Sequence, residues 1–457
     1  MIETLPKNLI RLAEACPYPL YVVGGRVRDY IAGLQPDKVD TDICAPASTE
    51  DFVARVESCG LTVTASYKNT GTVKIMCDGE ILEFTCFRSD EYVRGEHVPA
   101  NIYFTDDINL DARRRDFKCN AIYYDIKHKC IVDPLGGVED IKFRRMETVA
   151  PPEKVFGEDG LRLMRLARIS AQTGFLPSEE CIAAAHKHRE LIRDVSVERV
   201  FAELNLILHA DQKYGFELAH YKGLQILKSI GVLQILLPEL CAGEGMMQRE
   251  DFHKYDVLEH SLKCAAYADK SIRLAALLHD VGKPYCFNEL KTFVGHEKEG
   301  ARIAEEICER LKVPKKVTEE VVRLIDKHMY DFRCDAKENK IRKFIIENLD
   351  IFDKILYIKQ ADFSACKDDM SVAPSVVKLK TIHEKMAEEG LPFTLKELKI
   401  KGNDLLEMGF PPAEVGNTLK KLLLDCSIKA VENQRETLET RAYKVYLAPI
   451  LKNSSDK

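Results

Sequence analysis

The spacing of apolar residues changes character near residue 150. Before that point, short apolar runs are broken by turn residues. Pro19-Leu20-Tyr21-Val22-Val23 reads as a short buried strand, Gly24-Gly25 breaks it, and Val27 to Gly33 reads as a helix start. A second strand is expected through Val39 to Cys44. Thr72 to Cys77 and Ile81 to Phe87 are β-rich runs on either side of Asp78-Gly79, a strong hairpin signal. Beyond 150, apolar side chains recur three and four apart, as in Leu161, Leu163, Met164, Leu166 and Ala167, or Val200, Leu204, Ile207 and Leu208. That period predicts helices almost throughout. Pro151-Pro152 and Ala242-Gly243-Glu244-Gly245 mark junctions, and Leu391-Pro392-Phe393 opens a last, Lys-rich helical stretch. The pattern predicts an α+β fold: a small head of mixed sheet and helices, followed by a long helical body.

Composition narrows the setting. A chain of 457 residues should form about three or four domains. Hydrophobic content of 46% with 31% charged residues fits a soluble globular protein. No apolar run reaches membrane-spanning length, and Met1 to Lys7 lacks a basic-then-apolar signal, so no membrane partner is expected. Fifteen cysteines, scattered without a C-x-x-C pair, argue for reduced thiols in the cytoplasm rather than disulfides or a zinc ribbon. The net charge of −6 gives no sign of nucleic acid. Basic residues nevertheless cluster at Arg113-Arg114-Arg115, Arg144-Arg145 and Arg162/Arg165/Arg168, and such a track can hold a phosphate backbone on an acidic protein.

Candidate chemistry begins at Gly24-Gly25-Arg26-Val27-Arg28-Asp29. Glycines at a strand-to-helix turn let backbone N–H groups approach a triphosphate, and a helix N-terminus favours the anion. Asp40-Thr41-Asp42 follows, with two carboxylates on one face of the expected strand. Converging carboxylates beside a phosphate cradle suit a pair of Mg²⁺ ions that drive displacement at phosphorus. The run Asp111-Ala112-Arg113-Arg114-Arg115-Asp116-Phe117-Lys118-Cys119-Asn120-Ala121 joins arginines to a carboxylate and an amide, a set matched to phosphate and ribose oxygens. Asp133-Pro134-Leu135-Gly136-Gly137 is taken as a structural turn. In Glu158-Asp159-Gly160-Leu161-Arg162-Leu163-Met164-Arg165, Asp159 and Arg162 are expected on one helix face, with Glu158 bracing Arg162. A fixed acceptor beside a fixed donor accepts cytosine and adenine, which both pair an exocyclic amine with a ring-nitrogen acceptor. It rejects guanine and uracil, which reverse that order.

Taken in order, Gly-Gly-x-Val-Arg-Asp, Asp-x-Asp, Arg-Arg-Asp-Phe-x-x-Asn-Ala, Glu-Asp-x-x-Arg and Ser196-Val197-Glu198-Arg199 resemble the class II tRNA nucleotidyltransferases, the CCA-adding enzymes. The likeness runs from about residue 20 to 210. It resumes at Lys399-Ile400-Lys401-Gly402-Asn403-Asp404-Leu405-Leu406 and Gly416-Asn417-Thr418-Leu419, which look like that family's tRNA-contacting tail. The resemblance implies a polymerase-β-like nucleotidyltransferase head over 1–146, a helical neck and RNA-binding region over 147–250, a helical metal-binding body over 251–375 and a tail over 376–457. It implies tRNA, CTP and ATP as partners. Asp40 and Asp42 would hold the metals, and Gly24 and Gly25 would seat the triphosphate. Arg28, Arg114, Asp116, Asn120 and Arg165 would belong to the nucleotide site, and Asp159 with Arg162 would form the protein template. Glu83 is a possible third acidic group. Gly160 departs from the proline common in the family, which is expected to loosen the first turn of the neck helix. The segment Phe87 to Pro99 resembles the loop that full CCA-adding enzymes keep.

A second constellation, His260, His279-Asp280, His296, His328 and Asp362, mixes imidazoles and carboxylates at long intervals. Such a set suits a mono- or dinuclear centre of a divalent metal, its identity open, that activates water. With Val281-Gly282-Lys283-Pro284 and Gly295-His296-Glu297 it resembles the HD phosphohydrolase superfamily. His253 and Asp256 are expected to be structural. The leading expectation is untemplated addition of C, C and A to tRNA. Alternatives are an A-adding, CC-adding or poly(A)-polymerising enzyme, or an HD-type phosphohydrolase or phosphodiesterase whose head only grips RNA. The sequence fixes no oligomeric state.

Overall fold

The structure, a computed structural model, describes residues 5–36, 40–91 and 100–448. It divides into two compact units, residues 1–242 with 306–314 and residues 243–305 with 315–457. The break after Ala242 falls in the glycine-bearing stretch 242–245.

The first unit opens with the head. After α1 (Lys7–Ala15), β1 (Tyr21–Val23) leads through Gly24 into α2 (Gly25–Ala32). β2 (Asp42–Ala45), α3 (Thr49–Ser58), β3 (Thr62–Tyr67), β4 (Thr72–Cys77) and β5 (Glu80–Cys86) follow. The hairpin β6 (Arg88–Glu91) and β7 (Asn101–Phe104), then α4 (Ile108–Arg113), β8 (Tyr123–Asp125), β9 (Cys130–Val132) and α5 (Gly137–Lys142) complete it. Seven strands form one mixed sheet in the order β3-β4-β5-β2-β1-β8-β9. β2 runs parallel to β5, whereas β1 is antiparallel to both β2 and β8.

Alternation along β4 sends Val73, Ile75 and Cys77 inward. Phe52 of α3 stacks on Phe84 of β5 with ring centroids 3.6 Å apart, so the helix lies on the buried face of the sheet. Ser48 caps α3 by accepting the Asp51 N–H. Asp78-Gly79 turns β4 into β5 in register, Cys77 opposite Glu80.

The second strand starts at Asp42, later than the expected Val39, which lies outside the described residues. The last register pair is Val23 with Asp42. Gly24 then turns β1 away, which leaves Asp40 and Thr41 without a partner on the β1 side. Of the loop from Phe87 to Pro99, residues 92–99 lie outside the described residues.

Helices take over after residue 150. α6 (Pro152–Glu158), α7 (Leu161–Thr173), α8 (Glu179–Lys187), α9 (Val197–Leu208), α10 (Asp211–Tyr214), α11 (Ala219–Ser229), α12 (Val232–Leu236) and α13 (Pro238–Cys241) complete the first unit's main run. α7 is buried on nearly every side, by packing against α9, α10 and α11.

The second unit is helical throughout its described residues. It holds α14 (Val257–Tyr267), α15 (Arg273–Leu278), α16 (Gly282–Leu290), the start of α17 (His296–Arg310), α18 (Lys315–Lys327), α19 (Glu338–Glu347), α20 (Phe352–Lys367) and α21 (Pro374–Glu388). α22 (Gly402–Glu407), α23 (Pro412–Ser427) and α24 (Arg435–Arg441) close around a separate core that includes Ile400, Leu405, Phe410 and Leu422. Among the described residues no helix is long and apolar enough to cross a membrane.

Phe52 is fully buried against Phe84, so Phe52→Ala should cost about 3–5 kcal/mol of stability. A lowered denaturant midpoint with an unchanged slope checks this.

Candidate active site and metal centre

Where β1 ends, Gly24 adopts φ +79°, a left-handed conformation that side chains resist. A Cβ there would also stand 3.4 Å from Asp42 Oδ2. Glycine thus brings the first N–H groups of α2 beside the carboxylate of β2. The two open onto a cavity of about 400 Å³ that Asp40 also lines. Asp42 is reached by solvent through this cavity yet hemmed in by protein. Burial pushes its carboxyl upward, Arg115 opposes, and Glu83 and Asp40 add to the rise. Two carboxylates that disfavour each other's charge in one cavity are a donor set a divalent cation relieves. Glu83 is the register partner of Asp42 on β5, but it pairs with Lys74 at 3.3 Å and is not among the cavity-lining residues.

Arginines crowd the same cavity, and most of them pair with a carboxylate. Arg28 is buried. It donates to Asn120 Oδ1 at 2.8 Å, to Asp29 Oδ1 at 2.7 and 2.9 Å, and to the Tyr214 hydroxyl at 2.9 Å. Asn120 in turn donates to Asp116 Oδ1 at 3.2 Å, and Arg165 Nε donates to Asp116 Oδ2 at 2.7 Å. Asp111, fully buried, accepts from Arg114 Nε at 2.7 Å, Arg115 Nη2 at 3.0 Å and the Tyr123 hydroxyl at 2.7 Å. Burial alone would raise the carboxyls of Asp111 and Asp116. The guanidiniums win and hold both at about 2.

Asp159 and Arg162 both line the cavity, though not from one helix face as expected. α6 ends at Glu158 and Asp159 is extended, φ −146° and ψ 112°, before α7 starts at Leu161. Asp159 Oδ1 accepts the Leu161 N–H at 2.9 Å, as a cap does. Arg162 is buried and donates to Val155 O at 2.9 Å, Glu158 Oε2 at 2.8 Å and Arg114 O at 2.9 Å. The first turn of α7 is intact, with Arg162 N bonded to Asp159 O and Leu163 N to Gly160 O. Gly160 therefore does not loosen it. A Cβ at 160 would lie 2.3 Å from Leu191 O, so the turn over residues 189–194 occupies the space a side chain would need.

Sequence reasoning passed over four cavity-lining or adjoining side chains. Arg168 stands in a cluster noted for its charge, and Arg199 in a motif quoted only for the family resemblance. Lys213 and Tyr214 carry no local signal, because Tyr214 meets Asp29 across 185 positions of chain.

In the second unit, α14 supplies His260, the end of α15 His279 and Asp280, α17 His296, the residue after α18 His328, and α20 Asp362. His260 Nε2 lies 3.0 Å from Asp362 Oδ1, 3.3 Å from Asp280 Oδ2 and 3.2 Å from His279 Nε2. On the other side of Asp280, Oδ1 is 3.1 Å from His296 Nε2 and 3.8 Å from His328 Nε2. His279, His296 and His328 each donate Nδ1–H to the carbonyl three residues back, at 2.7–2.8 Å. That fixes Nε2 as the lone-pair nitrogen when the ring is neutral. Burial, with His279 and His296 close by, pushes His328 down to about 3, into its neutral, ligating form.

Lone pairs from facing imidazoles and from carboxylates thus converge on buried Asp280, whose Oδ2 lies 3.2 Å from His279 Nε2 and 3.3 Å from His260 Nε2. This donor set fits divalent cations, with Asp280 between two groups of ligands. Lys283 flanks it, donating to Gln248 Oε1 at 2.7 Å and lying 2.6 Å from Asp280. His253 packs edge-on to His260, and Asp256 caps α14.

A glycine turn and two carboxylates on one cavity, with a second cluster of imidazoles and carboxylates, are the features to set beside known proteins. Residues 20–147 match the Poly A polymerase head domain, 174–243 the probable RNA and SrmB-binding site of polymerase A, and 253–355 the HD domain. The A-adding tRNA nucleotidyltransferase of Deinococcus radiodurans is 29% identical over 377 residues, 78% of this chain and 79% of that one. The CCA-adding enzyme of Anoxybacillus flavithermus is 37% identical over 208 residues, 46% of this chain, so the match spans 49% of that relative's length. The crystal structure of the Bacillus stearothermophilus CCA-adding enzyme in complex with CTP shares the fold at a TM-score of 0.65 and 22% identity, covering 99% of both chains. The chain thus matches a Poly A polymerase head domain and an HD domain, and it is similar to tRNA nucleotidyltransferases in sequence and in fold.

Asp111 and Asp116 titrate near 2 when folded, against about 3.9 unfolded. Their stabilisation should be complete above about pH 4 and drain away as pH falls towards 2. Asp111→Asn should cost about 3–5 kcal/mol at neutral pH, since it strands buried guanidiniums, and should flatten that acid limb in pH-dependent unfolding.

Proposed function

We propose that this protein adds C, C and A to the 3′ end of tRNA from CTP and ATP, without a nucleic-acid template. One observation carries the reading: Asp40 and Asp42 open onto the same cavity as Asp159 and Arg162, so a base-reading pair and a phosphate-reacting pair share one nucleotide-sized space. The terminal ribose hydroxyl attacks the α-phosphate in line, and pyrophosphate leaves. Mg²⁺ held by Asp40 and Asp42 would supply acidity to that hydroxyl and neutralise the leaving charge.

The chain's own groups do the rest. Gly24, Gly25 and the α2 N–H groups seat the triphosphate, and Arg28 and Arg114 face phosphate or ribose oxygens. Asp116 and Asn120 hold Arg165 and Arg28 in place. Asp159 accepts from the exocyclic amine of cytosine or adenine, and Arg162 donates to the ring nitrogen beside it.

The four-part division at 146/147, 250/251 and 375/376 belongs to this reading, with the neck and tail holding the tRNA through its backbone shape. All fifteen cysteines are free, which fits a reducing cytoplasm.

A second reading, addition of the terminal A alone, is favoured by the breadth of the match to the Deinococcus enzyme, 78% of this chain against 46% for the Anoxybacillus relative. Offering tRNA lacking its 3′ end one labelled nucleotide at a time separates the two. CTP incorporation supports the first, and ATP incorporation only onto tRNA ending in CC supports the second. For the HD centre we propose divalent-metal phosphohydrolase chemistry, with water as nucleophile.

Asp42→Ala should abolish CTP and ATP incorporation while tRNA binding stays within a few-fold; retained addition refutes the metal role. Arg162→Ala should admit GTP or UTP, measured by misincorporation. Asp280→Asn should remove bound metal and any phosphatase activity of the body, yet spare nucleotide addition.

A further inference from the structure

Lys213 lines the same cavity as Gly24, Gly25, Arg28, Asp40 and Asp42, yet it comes from α10 in the neck. We propose that Lys213 binds the terminal phosphates of the incoming nucleoside triphosphate, completing from the neck a cradle that the head builds on one side only. This rests on the nucleotide-addition reading above.

Three observations carry it. First, α10 is tied to the phosphate-binding helix. The Tyr214 hydroxyl accepts from Arg28 Nη2 at 2.9 Å and donates to Asp29 Oδ2 at 2.7 Å, so the residue next to Lys213 is fixed to the second turn of α2.

Second, Lys213 lacks the carboxylate that most of the cavity's cations have. Arg28 pairs with Asp29, Arg165 with Asp116, Arg168 with Glu203 and Arg162 with Glu158. Among the described residues no carboxylate lies within ion-pair distance of Lys213, whose ammonium instead sits 5.5 Å from the ring centre of Tyr214. Burial, with Arg28 and Arg168 close by, pushes its pKa down, the sign of a cation short of an anion.

Third, its place along the cavity suits the tail of the nucleotide. It lines the cavity together with Gly24, Gly25, Arg28, Asp29 and Asp40. A base held at Asp159 and Arg162, with its α-phosphate at Asp40 and Asp42, sends the remaining phosphates towards the α2 turn. A desolvated ammonium against a polyphosphate is a strong, non-directional contact, suited to both CTP and ATP because neither base touches it.

The test compares CTP with CMP. Calorimetric binding without tRNA, on the full chain with Mg²⁺, should show Lys213→Met weakening CTP about tenfold while CMP binds as to the unsubstituted protein. KM for CTP and ATP should rise together by a similar factor, KM for tRNA should stay within about twofold, and Lys213→Arg should restore most of the loss. Lys213→Gln serves as a second variant if circular dichroism shows that the methionine form is misfolded.

Equal weakening of CTP and CMP, a rise in the tRNA KM instead, or no change in any constant overturns the assignment. An unsubstituted protein that neither binds CTP nor extends tRNA would instead overturn the function on which the inference rests.

Discussion

Everything in the nucleotide cavity depends on burying guanidinium groups beside carboxylates that never leave them. Asp111, Asp116, Asp29 and Glu158 each neutralise an arginine whose remaining N–H groups are then aimed rather than mobile. A free arginine would spend binding energy on ordering its long side chain each time a nucleotide arrived. Here that ordering is built into the fold. A buried ion pair contributes little net stability, because desolvation cancels much of the attraction. Its return is geometric, and base selection without a template needs geometry above all.

The second centre uses the same economy with different groups. Three imidazoles are oriented by carbonyls three residues back, so each helix end aims its own ligand. Asp280 stands between His260 and His279 on one side and His296 and His328 on the other, with one carboxylate oxygen towards each. In the head, two carboxylates share a cavity with a crowd of cations. In the body, imidazoles outnumber carboxylates. The first set suits a hard ion that follows the nucleotide, the second a resident transition metal or Mg²⁺.

Much of this was readable beforehand because the chemistry lies in compact runs. Gly24-Gly25, Asp40 and Asp42, the segment from Asp111 to Asn120, and Asp159 with Arg162 all line one cavity apart from a few members that brace it. The change from period two to period 3.6 near residue 150 marked the passage from sheet to helix. What escaped was set by tertiary packing. The helix expected through Asp159 is interrupted, since Leu191 O fills the space beside Gly160 and Asp159 caps α7 instead of joining it. β2 starts where β1, one of its two neighbours, turns away at Gly24. Lys213 and Tyr214 look like ordinary polar residues of a short helix, and only the fold carries them back to α2.

Arg162 has one further consequence. Its guanidinium bonds Val155 O and Glu158 on the neck side and Arg114 O on the head side. In the proposed reading the base-reading donor is therefore clamped across a joint, and its aim is only as true as that joint is tight. A hydrogen bond weakens steeply once stretched beyond its usual length, so prising α7 from the head by an ångström would release the donor. On that reading fidelity becomes a mechanical property, and a tool that stiffens or loosens the seam would tune accuracy without touching the nucleotide.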